Sequence, residues 1–426
     1  MPHFRKSMRM LAVTAIFIAI SFQAFSAKIL IQMDESQKNH LKAYGIAYWI
    51  LENDIEVQWL LNYKGGSFLI DQYKAIEEEC TIRGVSYRII ADAQASAIIR
   101  EIADPEVNME TVKLEKAPKV AVYSPKSKMP WDDAVTLVMT YAEIPYDVIY
   151  DSEIIGMELP KYDWLHLHHE DFTGQYGKFY RSYKNAAWYQ QQVRDMEALA
   201  GELGFEKVSH LKLAVAQRIK EYTAGGGFLF TMCSGTDSYD IALSAQHTDI
   251  CESMYDGDPA DPAAQSKLDY TKTFAFTDFI LERDPLVYEF SSIDATDVHN
   301  PIPQTKDFFT LFDFSAKWDI VPTMLTQNHQ SVIKGFMGQT TAFKKQYVKS
   351  DVLIMGDSKA HGTVKYIHGN LGLGQWTFYG GHDPEDYQHR VGDPPTDLNL
   401  HPNSPGYRLI LNNILFPAAK KKKQKT

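Results

Sequence analysis

The sequence predicts a mixed α/β protein: a largely parallel sheet flanked by helices, preceded by a smaller N-terminal α/β domain. Short apolar runs with the two-residue alternation of strands recur along the chain, and segments with the 3/4 apolar spacing of amphipathic helices separate them. Of 426 residues, 45% are hydrophobic and 23% charged, which excludes disordered, collagen-like and coiled-coil proteins. The length predicts two or three domains.

Residues 1–26 are predicted to form a cleavable secretory signal peptide. Three basic residues precede an apolar run over 10–22, and Ala24 and Ser26 place small residues before a cleavage site. The run is shorter than the roughly 20 residues that span a bilayer. An uncleaved anchor is the alternative. We therefore expect a periplasmic or secreted protein without stable membrane insertion.

The charge distribution argues against a nucleic-acid partner. The net charge is −11, and without the three positive charges of the leader and the five of the tail the body carries −19. Such a body repels a polyanion. Residues 419–426 are predicted to be a basic disordered tail. Three cysteines are too few for a disulfide framework, and their spacing fits no zinc finger.

The N-terminal α/β domain is predicted to span 27–116. His40 lies on the polar face of its first helix and is predicted to be solvated, and the polar stretch 104–119 is predicted to be a strand-poor linker. The predicted elements are a strand at 28–34, a helix through 41–51, strands at 55–59 and 68–70, a helix near 71–82, a strand at 85–90 and a helix near 94–102.

The larger domain is predicted to span 117–418. Its regular alternation of strand and helix is typical of a parallel sheet, in which reactive groups collect at the carboxyl ends of the strands. Residues 252–345 form a long insertion whose pattern does not order into elements. The predicted elements before it are a strand at 120–125, a helix through 134–141, strands at 146–151 and 162–168, a helix through 211–222, a strand at 228–233 and a helix at 236–243.

Cys233 is the predicted nucleophile. It follows an apolar strand and precedes Ser234, Gly235 and a helix, a sharp turn that exposes a side chain at a helix N-terminus. Helix-terminal N–H groups favour a thiolate there. The alternative is a buried, inert cysteine. Cys80 and Cys251 lack such a setting and are predicted to be structural.

His382 is the predicted general base. It follows the strand at 375–379 and a Gly-Gly turn, and Asp383 and Glu385 lie just beyond it. A histidine that serves as a base needs a carboxylate to hold its tautomer. A hydrogen-bonded turn histidine is the alternative.

These motifs carry a resemblance to a known fold. The strand, C-x-G turn and helix, followed downstream by a Gly-His loop with a nearby Glu, resemble the class I glutamine amidotransferase-like fold, in which Cys, His and Glu form a triad. The segments GQWTFYGGHDPEDYQ and PGYRLILNNILF are similar to the end of its trehalose-utilisation (ThuA-like) branch. The resemblance covers about 118–418 and implies thiol-dependent hydrolysis or transfer at an amide or related carbonyl of a small-molecule, glycan or peptide-derived substrate. It assigns Cys233 as nucleophile, His382 as base and Glu385 as orienting carboxylate.

The chain departs from the family pattern at three places. Thr231 replaces the first glycine of the usual G-x-C-x-G turn, and Glu385 lies three residues after His382 rather than two. The segment 168–174 replaces the expected glycine-rich oxyanion loop, which makes Glu170 a rival orienting carboxylate. We expect substrate contacts from His168, His169 and Gly174 of this segment, and from Ser234 and Gly235 of the turn.

Three alternatives stay open. No cofactor is expected, but His166, His168, His169 and Asp171 could bind a divalent metal, although on a strand His169 would point away from the other two histidines. The protein could be a non-catalytic periplasmic module that binds sugars or envelope fragments through the aromatic segment 176–189. Finally, the run 234–238 and the segment MDESQKNHLKAYGIAYW resemble exported proteins labelled asparagine synthetase B. The run lacks one glycine of the pyrophosphate loop of asparagine synthetases. The predicted mature chain also lacks the N-terminal cysteine that their amidotransferase half needs.

Overall fold

Two β-sheets organise the chain in the computed structural model, which describes residues 27–125, 133–390 and 392–419. The protein is mixed α/β, with helices packed against both sheets. The predicted signal peptide and the tail from residue 420 lie outside the described residues. Within the described ranges no helix is long and apolar enough to span a membrane.

The N-terminal sheet is antiparallel throughout, with the strand order β4-β1-β3-β2-β5. Its elements are β1 (Ala27–Ile31), α1 (His40–Glu52), β2 (Val57–Leu61), β3 (Ser67–Asp71), α2 (Lys74–Ile82), β4 (Arg88–Ala91), α3 (Asp92–Ala103) and β5 (Glu110–Leu114).

The stretch 104–119 contributes β5, so its prediction as a strand-poor linker is wrong. β5 is an edge strand, and only Val112 and Leu114 are buried while the residues between and before them stay partly exposed. Such a strand carries few apolar residues because one of its faces and one of its edges are solvated.

The second sheet has ten strands, of which half are parallel. β7, β6, β8, β9 and β15 run parallel in that order, whereas β14, β13, β10 and β11 continue it antiparallel and β12 pairs with β14. The strands are β6 (Val120–Tyr123), β7 (Asp147–Ile149), β8 (Trp164–Leu167), β9 (Phe228–Met232), β10 (Phe308–Leu311), β11 (Val332–Lys334), β12 (Phe343–Lys344), β13 (Leu353–Ser358), β14 (Thr363–Leu371) and β15 (Gly374–Tyr379).

The prediction of a largely parallel sheet therefore holds for one half only. The short turn at 372–373 joins β14 directly to β15, and a turn of that length permits only antiparallel pairing. The insertion 252–345, which the sequence pattern left unordered, supplies β10, β11 and β12 of the antiparallel half.

Helices cover both faces of the parallel half, so its strands are buried on both sides. Neighbouring residues of one strand enter different cores: Phe230 belongs to the cluster shared with the N-terminal sheet, and Leu229 to the opposite one. The remaining helices are α4 (Ala134–Ala142), α5 (Asp151–Ile155), α6 (Tyr180–Tyr183), α7 (Ala187–Glu202), α8 (Val208–Ala224), α9 (Ser234–Ser244), α10 (Ser253–Asp256), α11 (Ala264–Lys267), α12 (Thr296–His299), α13 (Ile320–Leu325) and α14 (Pro405–Leu415).

The two sheets share a hydrophobic core in which α1 packs against α4 and α14. His40, predicted to be solvated, is only 1% exposed. Its ring stacks on His329 at 4.1 Å, and its Nε2 and Nδ1 lie 2.9 Å from the Met33 carbonyl oxygen and 3.0 Å from Asn403 Oδ1. The polar face of α1 is covered because the C-terminal segment folds back over it.

Candidate functional site

A strained turn between β9 and α9 holds Cys233. Its φ of 52° and ψ of −142° lie in a region that non-glycine residues rarely adopt. The Gly235 N–H donates to the His168 carbonyl oxygen at 2.7 Å, and a Cβ at 235 would lie 2.3 Å from that oxygen. Only glycine therefore fits there, and this contact fixes the turn to the carboxyl end of β8.

The thiol of Cys233 is almost fully buried, with 2% of the residue exposed. Burial raises its pKa to about 12, and the backbone N–H groups of Ser234 and Gln339, which donate to the sulfur, offset this only in part, while Asp237 and Asp294 raise it further. The helix N-terminus therefore does not produce a resting thiolate as predicted, because desolvation outweighs it.

One cavity of about 250 Å³ adjoins both the predicted nucleophile and the predicted base. Cys233, His382, His169, Tyr288, Gln339 and Arg390 are among the residues that line it. It lies where the carboxyl ends of β9 and β15 meet their loops, as expected for an α/β sheet.

The ring of His382 packs among other imidazoles. Its centroid lies 4.4 Å from that of His168 and 6.0 Å from that of His169, and it stacks on His389 at 4.6 Å with an interplanar angle of 4°. Burial lowers the pKa of His382 well below its usual range, and these three neighbours lower it further. His382 is therefore neutral at neutral pH, and its surroundings make it a weaker base than a solvated imidazole.

The two predicted orienting carboxylates have partners other than His382 in the structure. Glu385 Oε2 lies 3.2 Å from His401 Nδ1. Glu170 is buried beside Tyr150 and Lys212, and burial raises its pKa to about 7 while Lys212 opposes the increase.

Asp133 is the carboxylate that faces the histidines, and the sequence reasoning missed it. Its Oδ2 lies 3.1 Å from His166 Nε2 and its Oδ1 3.3 Å from His168 Nδ1. Although burial opposes the shift, these two histidines hold the pKa of Asp133 well below its usual range. The available signal was its position: an N-cap residue of α4, in the segment that follows β6.

Asp171 and Gly174, two further predicted residues of the 168–174 segment, stabilise their own loop. Asp171 accepts hydrogen bonds from the Thr173 N–H at 2.6 Å and the Gly177 N–H at 3.0 Å. Gly174 has a φ of 83°, and a Cβ there would lie 2.7 Å from Ser209 Cα. These contacts give both residues a structural role.

The three predicted histidine ligands fall into two groups that other residues complete, and Asp171 belongs to neither. One ligand atom from each of Asp133, His166 and His168 lies within 4.8 Å of the others, and the same holds for His168, His169 and His382. His169 does not point away as predicted, because β8 ends at Leu167 and His169 belongs to the loop.

Burial bears on two of the alternative expectations. In the aromatic segment 176–189, Tyr176, Phe179 and Tyr189 are buried in the core. Tyr180, Tyr183 and Trp188 are partly exposed, so only part of the segment is available as a stacking surface. The run 234–238, predicted to resemble a pyrophosphate loop, forms the first turns of α9, and each of its residues is fully buried.

No protein-family model and no curated protein matches this chain. Among solved structures it is similar to the cytoplasmic protein STM3548 from Salmonella typhimurium (TM-score 0.34, 10% identity, 71% of this chain and 100% of that one). It is also similar to the cytoplasmic protein STM1381 from Salmonella typhimurium LT2 (0.33, 11%, 71% and 100%) and to a beta-galactosidase from Bacillus circulans sp. alkalophilus (0.27, 11%, 64% and 29%). TM-scores this low do not establish a shared fold.

The fold and site define a mixed α/β protein with a cysteine at a strained strand-to-helix turn, beside a cavity lined by histidines.

Proposed function

We propose that this protein catalyses thiol-dependent hydrolysis or transfer at an amide or related carbonyl, with Cys233 as nucleophile and His382 as base. The observation that carries the proposal is the strained backbone of Cys233 at a cavity that His382 also lines. A non-glycine residue in such a conformation costs about 1–3 kcal/mol and persists where the surrounding structure enforces it, typically at functional sites.

The proposal includes a class I glutamine amidotransferase-like fold for the larger domain and export of the protein. The position of Cys233 after a parallel strand, the Gly-His loop after β15 and the closing helix α14 support the fold assignment. The pattern of residues 1–26 supports export to the periplasm or medium.

The proposed reaction starts from a neutral thiol and a neutral imidazole. His382 takes the thiol proton as Cys233 Sγ attacks the carbonyl carbon, so that a C–S bond forms and the carbonyl oxygen becomes an oxyanion. The Ser234 N–H, which donates to the sulfur in the resting protein, belongs to the residue after the nucleophile. In such turns this position donates to an oxyanion, so the N–H would exchange the sulfur for the oxyanion as the C–S bond forms.

The second half of the reaction returns the proton. The His382 imidazolium protonates the leaving nitrogen, the C–N bond breaks, and a thioester on Cys233 remains. Water, or an acceptor amine in a transfer reaction, then attacks the thioester and restores the thiol. Asp133 favours the protonated form of His382, so we assign the supporting carboxylate role to it rather than to Glu385 or Glu170.

Acylation of Cys233 tests this proposal. Metal-free protein is incubated with p-nitrophenyl esters and anilides of small acyl groups, and peptide mass spectrometry locates the acyl group. We expect acyl transfer to Cys233 but not to Cys80 or Cys251, none in Cys233→Ser, and a rate about 10²–10⁴-fold lower in His382→Gln.

The control variant is Cys251→Ser. In the wild type the Cys251 thiol donates to the Thr173 carbonyl oxygen at 3.1 Å, and the variant should retain acylation of Cys233. Failure of Cys233 to acylate in folded protein, or equal acylation of all three cysteines, would overturn the proposal.

A further inference from the structure

We propose that His168, His169 and His382 form a three-histidine site for a divalent transition metal of the zinc class, with its open coordination position facing the cavity. This inference does not rest on the proposed function, because metal binding needs no chemistry at Cys233 and uses His382 as a ligand rather than as a base.

The first argument is convergence. The loop after β8 supplies His168 and His169, the loop after β15 supplies His382, and one nitrogen of each lies within 4.8 Å of the other two. Tetrahedral zinc with bonds of about 2.0–2.1 Å to nitrogen needs these atoms about 3.3 Å apart, a change that small rotations of the side chains provide.

The second argument is a buried nitrogen without a protein partner. His168 is 1% exposed, and its Nε2 has no hydrogen-bond partner within the described ranges. A buried polar atom left unsatisfied is unfavourable, and a metal ion would satisfy it.

The third argument is the support behind His168. Asp133 Oδ1 lies 3.3 Å from His168 Nδ1, which leaves Nε2 as the nitrogen for a metal. The N–H groups of Val135 and Thr136 donate to the same oxygen at 2.7 and 3.0 Å and hold the carboxylate in place. A carboxylate on the second nitrogen is the usual way in which proteins orient a metal-binding histidine.

The fourth argument is access. His169 and His382 line the cavity of about 250 Å³. Three protein ligands with a fourth position open to a pocket are typical of catalytic rather than structural zinc sites. A water molecule or a ligand oxygen in the cavity would complete the coordination.

Titration with cobalt(II) tests the site. Protein without a polyhistidine tag is freed of metal with a chelator and titrated with CoCl₂, and ZnSO₄ is then added as competitor. We expect visible bands of tetrahedral cobalt that saturate at a single equivalent and are abolished by zinc. His168→Gln, His169→Gln and His382→Gln should weaken binding by about 100-fold or more, and Asp133→Asn by about 10–100-fold.

The matched control is His210→Gln, an exposed histidine on α8, which should bind cobalt as the wild type does. X-ray absorption on the zinc-loaded wild type keeps the test valid if a variant fails to fold: it should show three imidazole nitrogens at about 2.0–2.1 Å.

The absence of saturable binding, a sulfur ligand, or a metal located crystallographically at Asp249–Cys251–Asp256 or at Asp386–His389–Asp393 would overturn the inference. The two tests stay separable, because acylation is measured on metal-free protein and metal binding needs no turnover.

Discussion

Gly235 is the residue on which the geometry of the strand-to-helix turn depends most directly. Its N–H donates to the end of β8, and the space that a side chain would need is filled by the His168 carbonyl oxygen. The same contact joins the turn of Cys233 to the loop of His168. One glycine thus determines the relative position of the proposed nucleophile and the proposed metal-binding loop.

Gly235→Ala should destabilise the protein by about 1–3 kcal/mol, because the added Cβ must displace backbone rather than a flexible side chain. Urea denaturation measures this. The matched control is Gly201→Ala in α7, where a Cβ meets nothing within 4 Å, and we expect it to stabilise the protein by up to about 1 kcal/mol. Equal effects of the two substitutions would contradict this account.

Glu170 should make stability depend on pH. Its pKa is raised from 4.5 to about 7, so the folded state prefers the protonated acid. Its stabilising contribution is complete below pH 4.5 and is lost as pH rises towards 7. The free energy of unfolding should therefore fall by up to about 3 kcal/mol over this interval, since each pKa unit corresponds to about 1.4 kcal/mol.

Glu170→Gln should make this fall smaller by the Glu170 share, as measured by denaturation at several pH values. It should not abolish the fall, because burial also raises the pKa values of Asp240 and Asp294 to about 6. Glu202→Gln, an exposed residue at the end of α7, serves as the control and should follow the wild-type curve. An unchanged slope in Glu170→Gln would contradict the assignment.

At the scale of elements, α14 and α9 differ in how far the sequence explains them. α14 begins with Ser404, whose Oγ accepts from the Tyr407 N–H at 3.3 Å, and with Pro405 in its first turn, as the capping pattern predicts. α9 is buried along its whole length despite its polar residues. Asp240 accepts from the Phe274 N–H at 2.6 Å, so the insertion covers this helix and satisfies it.

Ser404→Ala should cost about 0.5–2 kcal/mol through loss of the N-cap of α14. Thermal or urea denaturation checks the value. Ser152→Ala, an exposed position in α5, is the control and should stay within about 0.5 kcal/mol of the wild type. A stability of Ser404→Ala equal to that of the control would show that the cap contributes nothing.

At the scale of the whole molecule, Arg408 connects α14 to the N-terminal sheet. It is fully buried, and its Nη1 donates to the Met33 carbonyl oxygen at 2.9 Å while its Nη2 donates to that of Gly65. Its Nε donates to Tyr44 Oη at 3.2 Å. Since the hydrophobic core is also shared, we expect the two sheets to unfold together.

Arg408→Met should destabilise the protein by about 3–5 kcal/mol. The Gly65 carbonyl oxygen and Tyr44 Oη lose their Arg408 donor, and the Met33 carbonyl oxygen keeps only its contact with His40 Nε2. Urea denaturation is followed by tryptophan fluorescence and far-ultraviolet circular dichroism. The two probes should coincide in the wild type, and Arg218→Met, a half-exposed arginine on α8, should change little. Separate transitions in the wild type would show that the sheets are independent units.

The sequence by itself determined the features that depend on neighbouring residues. The apolar periodicities of α1 and β9, the cap of α14 and the turn at Cys233 are local patterns, and the structure has each of them. Backbone geometry and capping act over a few residues, so such patterns are visible without knowledge of the fold.

Only the tertiary structure decided which distant side chains meet. Asp133 faces His168, Glu385 pairs with His401, and His40 is buried, although nothing local marks these outcomes. The antiparallel direction of β10 and β11 was likewise decided by how β10 pairs with β13 and with β11. The reason is physical: contacts and desolvation between segments far apart in sequence depend on how the sheets pack, and pattern along the chain does not encode that packing.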